Sequence, residues 1–455
     1  MNSFERRSVF SLAGIYGLRM LGLFMILPVF SLYAEGLEGV TPMLVGLALG
    51  IYGLTMAIFQ IPFGMLSDRF GRKPIIAAGL LLFAIGSVVA AMSDSIWGVI
   101  IGRAIQGSGA IAAAMMALMA DLTREEERTK SMAIMGISIG MSFTLALMIG
   151  PLLNAGIGVD GIFWLTAILA AVGIAILYLL VPTPDQVNFH REVETVPAQL
   201  KQILFDRQLF RLDTGILIQH GIMMAMFTAL PFVLRDKLGL PTDEHAWFYL
   251  PVLMVSVLGM APLVMFAEKK QKMKQVFIGC IILMAVSELL LGTDQRSLWA
   301  VGFGLLLFFT AFNVLEACLP SLISRMAPVE SKGTAMGVYS TSQFLGAFVG
   351  GTGGGWLGGA FGIQAVFYAC AVAALVWLLF SLGMRVPAYL SSFMLQVQVA
   401  DKRAADQLAE KILQLDGVHE AKVILEDAVA YLKVDKKQFD QKQAKLLVDE
   451  VPYQQ

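Results

Sequence analysis

Apolar residues fall in long stretches separated by short polar or Gly/Pro-containing turns up to about residue 385, after which the pattern changes character. A helix crossing about 30 Å of hydrocarbon needs about 20 predominantly apolar residues, because it rises about 1.5 Å per residue and must satisfy its own backbone in lipid. The stretches predict twelve membrane helices, spans 1 to 12, at approximately 8–34, 43–67, 74–93, 96–121, 130–155, 160–182, 208–234, 245–268, 274–293, 297–325, 332–358 and 362–385. Beyond them Phe393, Leu395, Val397 and Val399 alternate with Ser392, Met394, Gln396 and Gln398, the period of a strand. Ala405, Leu408, Ile412 and Leu415 then follow helical spacing, with Gly417 suited to the cap. Strands at 418–426 and 429–434 meet at Asp427 and Ala428, and an amphipathic helix begins near Asp435.

The only long polar gap between spans, residues 183–207, divides the membrane region into an N-terminal half (1–182) and a C-terminal half (208–387), each of six helices, and residues 388–455 form a soluble domain. The predicted fold is an all-α polytopic membrane protein with a small C-terminal α+β domain, whose strand-helix-strand-strand-helix order is ferredoxin-like without the last strand. Weak internal similarity supports two related halves: Arg128 and Met132 are echoed by Lys332 and Met336 with Glu330, and Asp68 and Arg72 by Glu268 and Lys272.

Composition agrees with the pattern. Of 455 residues, 57% are hydrophobic and 15% charged, and the mean hydropathy is +0.73, which excludes an ordinary soluble globular chain. A net charge of -1 identifies no partner. Cys280, Cys318 and Cys370 each lie in an apolar segment, as small core residues rather than a disulfide or metal framework. The first apolar stretch is too long for a signal peptide and no A-x-A-like site follows it, so it is expected to stay as span 1. Arg6, Arg7, Arg69, Arg72, Lys73, Arg124, Arg128, Lys130, Arg191, Lys201, Arg207, Lys269, Lys270, Lys272, Lys274, Arg325 and Lys332 fall at alternate junctions, whereas the opposite loops carry little beyond Arg235, Lys237 and Arg296. The positive-inside rule then puts both termini in the cytoplasm.

The junction of spans 2 and 3 reads Gly64-Met65-Leu66-Ser67-Asp68-Arg69-Phe70-Gly71-Arg72-Lys73. Gly64 permits close helix approach, Gly71 a tight turn, and Asp68 and Arg72 set opposite charges at the membrane boundary. This segment resembles motif A of the major facilitator superfamily at every diagnostic position. Span 4 contains Arg103-Ala104-Ile105-Gln106-Gly107-Ser108-Gly109-Ala110, which resembles motif B of that family's drug:proton antiporter branch. Span 5 ends in Gly150-Pro151-Leu152-Leu153-Asn154-Ala155, similar to the antiporter motif C but with Asn154 and Ala155 in place of its second glycine pair. The resemblance implies a conformational switch made of Gly64, Asp68, Arg69, Gly71 and Arg72, with Asp68 facing the N-terminus of span 11 and Arg72 reaching an acid at the end of span 4, here Asp121.

Ionisable side chains inside a span are costly and need a partner or a water-filled cavity. By that criterion Arg19, Arg103, His220, Glu288 and Glu316, with Gln106, are candidates for a proton or substrate cavity. A carboxyl group kept from water can exchange a proton near neutral pH, which suits Glu316 or Glu288, and imidazole titrates there unaided. The resemblance implies that spans 1, 4, 7 and 10 line one central space, with span 9 and Glu288 outside it. It also implies a monomeric secondary transporter of a bacterial inner membrane that exchanges protons for small hydrophobic or amphipathic molecules. Its partners would be protons, that small molecule and the lipid bilayer, with no nucleic acid. Proton-coupled uptake of a nutrient, and a non-transporting sensor acting through the tail, are the alternatives. No Walker A pattern, metal-ligand cluster or paired nucleophile and base occurs, so neither an enzyme nor a cofactor is expected. The tail order also resembles heavy-metal-associated domains, but it has no cysteine and one histidine, His419.

Overall fold

The computed structural model describes residues 1–183, 199–328, 331–385, 391–397, 399, 401–425, 428–435 and 438–449. Arg191 and most of the expected 183–207 linker, Glu330, Gln398 and Asp427 lie outside the described residues, as does the expected 387/388 boundary. The described chain is mostly helical: α1 (Ser3–Phe24), α2 (Phe30–Tyr33), α3 (Pro42–Phe70), α4 (Arg72–Ala91), α5 (Ile96–Ser108), α6 (Ala112–Asp121), α7 (Glu125–Leu179), α8 (Leu200–Leu204), α9 (Arg207–Phe232), α10 (His245–Lys269), α11 (Met273–Thr293), α12 (Leu298–Met326), α13 (Lys332–Phe361) and α14 (Ile363–Leu382). β1 (Ser391–Gln396), α15 (Lys402–Leu413), β2 (Val418–Ile424), β3 (Val429–Val434) and α16 (Gln441–Asp449) follow. Side-chain caps fix several starts: Asn2, Thr41, Ser95, Asp206 and Ser297 each accept from backbone N–H groups of the first turn that have no partner within the helix.

Among the described residues, nine helical runs are long and apolar enough to cross a membrane, against the twelve spans expected. Three features account for the difference. Spans 5 and 6 form one continuous run, α7, broken only where Gly158 takes φ 68° and ψ 174°. Buried Arg19 and the basic residues of its first turns lower the hydropathy of α1, and glycines and hydroxyl residues lower that of α13. Span 1 itself is interrupted after Phe24, and span 4 divides into α5 and α6 at Gly109.

We call the end of the bundle that carries Arg72, Lys73 and Lys269 the basic end, and the other the far end. The most extensive helix contacts are α3 with α13, α9 with α13 and α1 with α7. Where α3 meets α13, Gly46, Gly50 and Gly53 recur at helical spacing, and a Cβ on any of them would collide with the backbone of Gly351, Phe348 or Phe344. Small residues let the two helices approach at backbone distance, the usual way of packing helices in lipid.

Buried apolar residues follow the same division. Residues of the N-terminal half near the far end, among them Met25, Phe30, Leu49, Ile100 and Phe143, share one core with α9, α12 and α14. Residues near the basic end, among them Leu12, Met56, Ile76, Met115 and Leu177, form a core of their own. Apolar packing therefore joins the two halves of the chain at the far end.

The tail is a three-stranded sheet in the order β1-β3-β2, with both pairs antiparallel. Amphipathic α15 buries Ala405, Leu408 and Ile412 in a core with Leu395, Val397, Ala430, Leu432 and Val434. β3 is buried on both faces, so simple alternation fails there. On its second face Lys433 donates from Nζ to the carbonyl of Ala327, between α12 and α13, at 2.6 Å.

Candidate functional site

At the basic end, the turn between α3 and α4 is made by Gly71 at φ 93°, a left-handed conformation that glycine adopts freely. It brings Arg72 under the end of α3. Arg72 is 2% exposed and donates to Ser67 Oγ at 2.9 Å, to Asp68, and from Nε to Asp121 Oδ2 at 3.2 Å. Asp121, at the end of α6, is the acid that the sequence proposes for Arg72. Gly64 lies against Ala113, Arg69 rests on the ring of Phe70, and Lys73 donates to the carbonyl of Val181. Among the described residues, the polar partner of Asp68 is Arg72, in its own half, and α13 supplies none. In the C-terminal half the echo is different: one guanidinium nitrogen of Arg325 in α12 donates to both carboxyl oxygens of Glu268 at 2.8 Å, and Lys272 lies over Phe266. Glu5, ahead of span 1, accepts from Arg124 Nε at 2.9 Å, and that guanidinium holds its carboxyl down at about 2.

Arg19 and Arg103 are each 1% exposed and lie inside the N-terminal half. Arg19 donates to the carbonyl of Gly109 at 2.8 Å, an oxygen freed by the break between α5 and α6, and its guanidinium lies 5.3 Å from the Phe83 ring centroid. Arg103 donates to the Ala48 carbonyl at 3.3 Å and to Gln106 Oε1 at 2.9 Å, with Tyr52 5.1 Å away. Gln106 passes the chain on to Ser87 Oγ at 2.7 Å. No carboxylate pairs with either guanidinium among the described residues. Gly150 abuts Met25, where a Cβ would strike the carbonyl, and Pro151 follows it within α7.

A second polar group lies in the C-terminal half, where α9, α12 and α13 meet. Gln219 donates to Glu316 Oε2 at 3.0 Å, and Gln343 to Oε1 at 3.3 Å. Gln343 Nε2 lies 2.8 Å from His220 Nε2, which is 3.9 Å from Glu316 Oε2. The imidazole leans on Phe312 at 5.6 Å, and Phe312 stacks at 5.8 Å on Phe143 of the other half. Glu316 keeps 37% of its side chain exposed, so two amide donors hold a carboxyl that still meets solvent. Glu288 is apart from this group. It is fully buried in α11, and neither carboxyl oxygen has a hydrogen-bond partner.

The candidates thus divide in two: Arg19, Arg103 and Gln106 in one half, His220 and Glu316 in the other. Gln219 and Gln343 complete the second group and carry no motif. Asp213 in α9 meets the same criterion as Glu316, an ionisable residue inside a span, and the sequence reading did not single it out. At the far end, Arg235 pairs with Glu35 across the two halves, and Ser31 donates to the Phe227 carbonyl at 3.0 Å. Beside this pair lies a cavity of about 310 Å³ lined mostly by apolar groups of α3, α9, α13 and α14.

The profile of the Major Facilitator Superfamily matches residues 12–351 and 273–392. The inner membrane transport protein YajR of Escherichia coli (strain K12) is 47% identical over 433 residues, 95% of each chain. The multidrug resistance protein MdtH of Yersinia enterocolitica is 25% identical over 74% of this chain and 83% of its own. Among solved structures, a bacterial homologue of the human lysosomal transporter Spinster superposes with a TM-score of 0.70 at 13% identity, covering 84% of this chain and 97% of that one.

Proposed function

The chain belongs to the Major Facilitator Superfamily and is a membrane transporter rather than an enzyme, and from that premise we propose that it exports small hydrophobic or amphipathic molecules in exchange for protons. The observation that carries this reading is Glu316, a half-buried carboxyl inside a span, gripped by Gln219 and Gln343 beside His220. A carboxylate accepts both amide donors; protonation weakens the acceptor at the oxygen that takes the proton, which couples proton loading to the packing of α9 against α13. Export is the direction favoured by the name of the MdtH relative and by the similarity of 103–110 to the antiporter motif B. Twelve spans in two halves, cytoplasmic termini, a ferredoxin-like tail and a monomeric chain complete the proposal.

The proposed cycle is alternating access, in which the halves rock about a midplane site. The far end is held by the glycine seam, the Glu35–Arg235 pair and a shared core, while among the described residues Asp68 pairs with Arg72 of its own half and not with α13. We take this as the inward-open state, with the Asp68 latch disengaged. Arg72 pairs with both Asp68 and Asp121 within the N-terminal half, so Asp68 keeps a cationic partner when the latch releases it from the other half.

The test is proton flux in inverted vesicles energised by respiration, with a panel of cationic and neutral amphiphiles added. Collapse of the pH gradient by at least one compound, lost in Glu316→Gln, is the expected result. A collapse that survives Glu316→Gln would remove Glu316 from the proton path.

A further inference from the structure

Behind Glu316 the C-terminal half holds a file of buried polar atoms that the binding site does not use. Tyr339 lies on α13 one turn closer to the basic end than Gln343; it is 3% exposed, and its hydroxyl has no hydrogen-bond partner. It lies within electrostatic reach of both Glu316 and Asp213. Asp213 lies on α9 about two turns, or roughly 10 Å, from Gln219 towards the basic end. It is 6% exposed, and its Oδ1 is buried without a partner. The Oε1 of Gln219, whose amide donates to Glu316, is likewise buried and unpaired.

Buried polar atoms are paired as a rule, because each one left bare costs free energy. Here the unpaired ones fall in sequence between a carboxyl at the centre of the bundle and a carboxyl near its end. Among the described residues, the groups facing Asp213 do not neutralise it. On its own helix Asp206 adds like charge, and Arg211 turns away to the Gly383 carbonyl. From α13 comes Tyr339, whose hydroxyl is itself unpaired.

We propose that Asp213 and Tyr339 form the proton's own route between Glu316 and the basic end, separate from the space through which a transported molecule moves. This rests on the proton-coupled reading and extends it. Glu316 keeps 37% of its side chain exposed, and an apolar molecule lodged against it would displace the water that could carry its proton away. The file behind it stays open to the proton. Glu316 gives its proton to the Tyr339 side through bridging water, Tyr339 passes on its own hydroxyl proton as it accepts one, and Asp213 receives a proton and loses one to the aqueous phase. The chain ends as it began, with one proton moved.

The test follows the carboxyl infrared band of Glu316, identified by its loss in Glu316→Gln, after a rapid pH change in the reconstituted full-length chain. It is run with and without the lipophilic cation tetraphenylphosphonium as probe. Asp213→Asn and Tyr339→Phe should leave the final size of the band unchanged and slow its change by roughly tenfold or more, the scale on which losing a positioned proton carrier is felt. Asp213→Glu should restore most of the rate, which a merely structural role would not require. An unchanged rate in Asp213→Asn, with and without the probe, overturns the route and leaves the function of Glu316 intact. A wild type with no titrating Glu316 band overturns the proton-coupled reading itself, and the route with it.

Discussion

A carboxyl held by two amide donors holds them less strongly once it takes a proton, and Glu316 is placed so that the change is felt on two helices at once. Arg19 is the opposite kind of intramembrane charge. Its guanidinium meets the carbonyl that the break at Gly109 leaves without a helical partner, and a bare carbonyl in a dry interior costs about 2–7 kcal/mol depending on its surroundings. Arg19→Leu should therefore lower the melting temperature in detergent and the amount of folded protein, whereas Glu316→Gln should leave both near wild type; equal stability of the two variants would contradict the assignment. Both residues stand out in the sequence for one reason, charge inside an apolar span. Separating structural from functional charge needs the partner, and partners such as Gln343 and the Gly109 carbonyl lie far away along the chain.

Between residue and molecule, the helices are legible because lipid imposes length and apolarity on them. Span 7, read at 208–234, is α9 at Arg207–Phe232. Breaks are harder to read, because a GSG run such as 107–109 is compatible with a continuous helix until a guanidinium arrives to take the freed carbonyl. The α3–α13 seam was also hidden: Gly46, Gly50 and Gly53 look like ordinary membrane glycines until α13 is laid against them. Replacing Gly50 by Leu should force the seam apart at a cost of about 1–3 kcal/mol. Because that seam joins the halves at the far end, the variant should favour the state open there, read as increased labelling of a cysteine placed beside Glu35. Unchanged labelling in a folded Gly50→Leu protein would mean that the seam does not hold this end shut. In the tail, the order of elements was readable from period and turn residues, but burial of both faces of β3 was not: on its second face Val429 and Tyr431 pack against Met394 and Ile424, and Lys433 reaches the Ala327 carbonyl.

For the whole molecule, the division of the apolar core is the chief clue to motion. One core spans both halves at the far end, and a separate one serves the N-terminal half at the basic end. Two bodies joined at one end and free at the other can exchange which end is joined, provided that a few polar contacts change with them. In the proposed cycle Glu35–Arg235 is the contact to be broken, and Asp68 with the start of α13 the one to be made. The charge asymmetry of the loops and the segment 64–73 made this family legible from sequence, whereas the state of the cycle was not, because it depends on contacts between distant helices.

The central claim is that protonation of Glu316 decides which end is open. Distances between spin labels, one pair at Lys130 and Lys270 at the basic end and another at Glu38 and Lys237 at the far end, measured in lipid at acid and alkaline pH, test it directly. Because both amides are bound to Glu316 in the inward-open arrangement, the form the carboxylate favours, the account expects the basic-end distance to lengthen and the far-end distance to shorten as pH rises, with Glu316→Gln fixed in the acid pattern at every pH. Distances that respond to pH alike in wild type and Glu316→Gln, or two ends that open together, would contradict it.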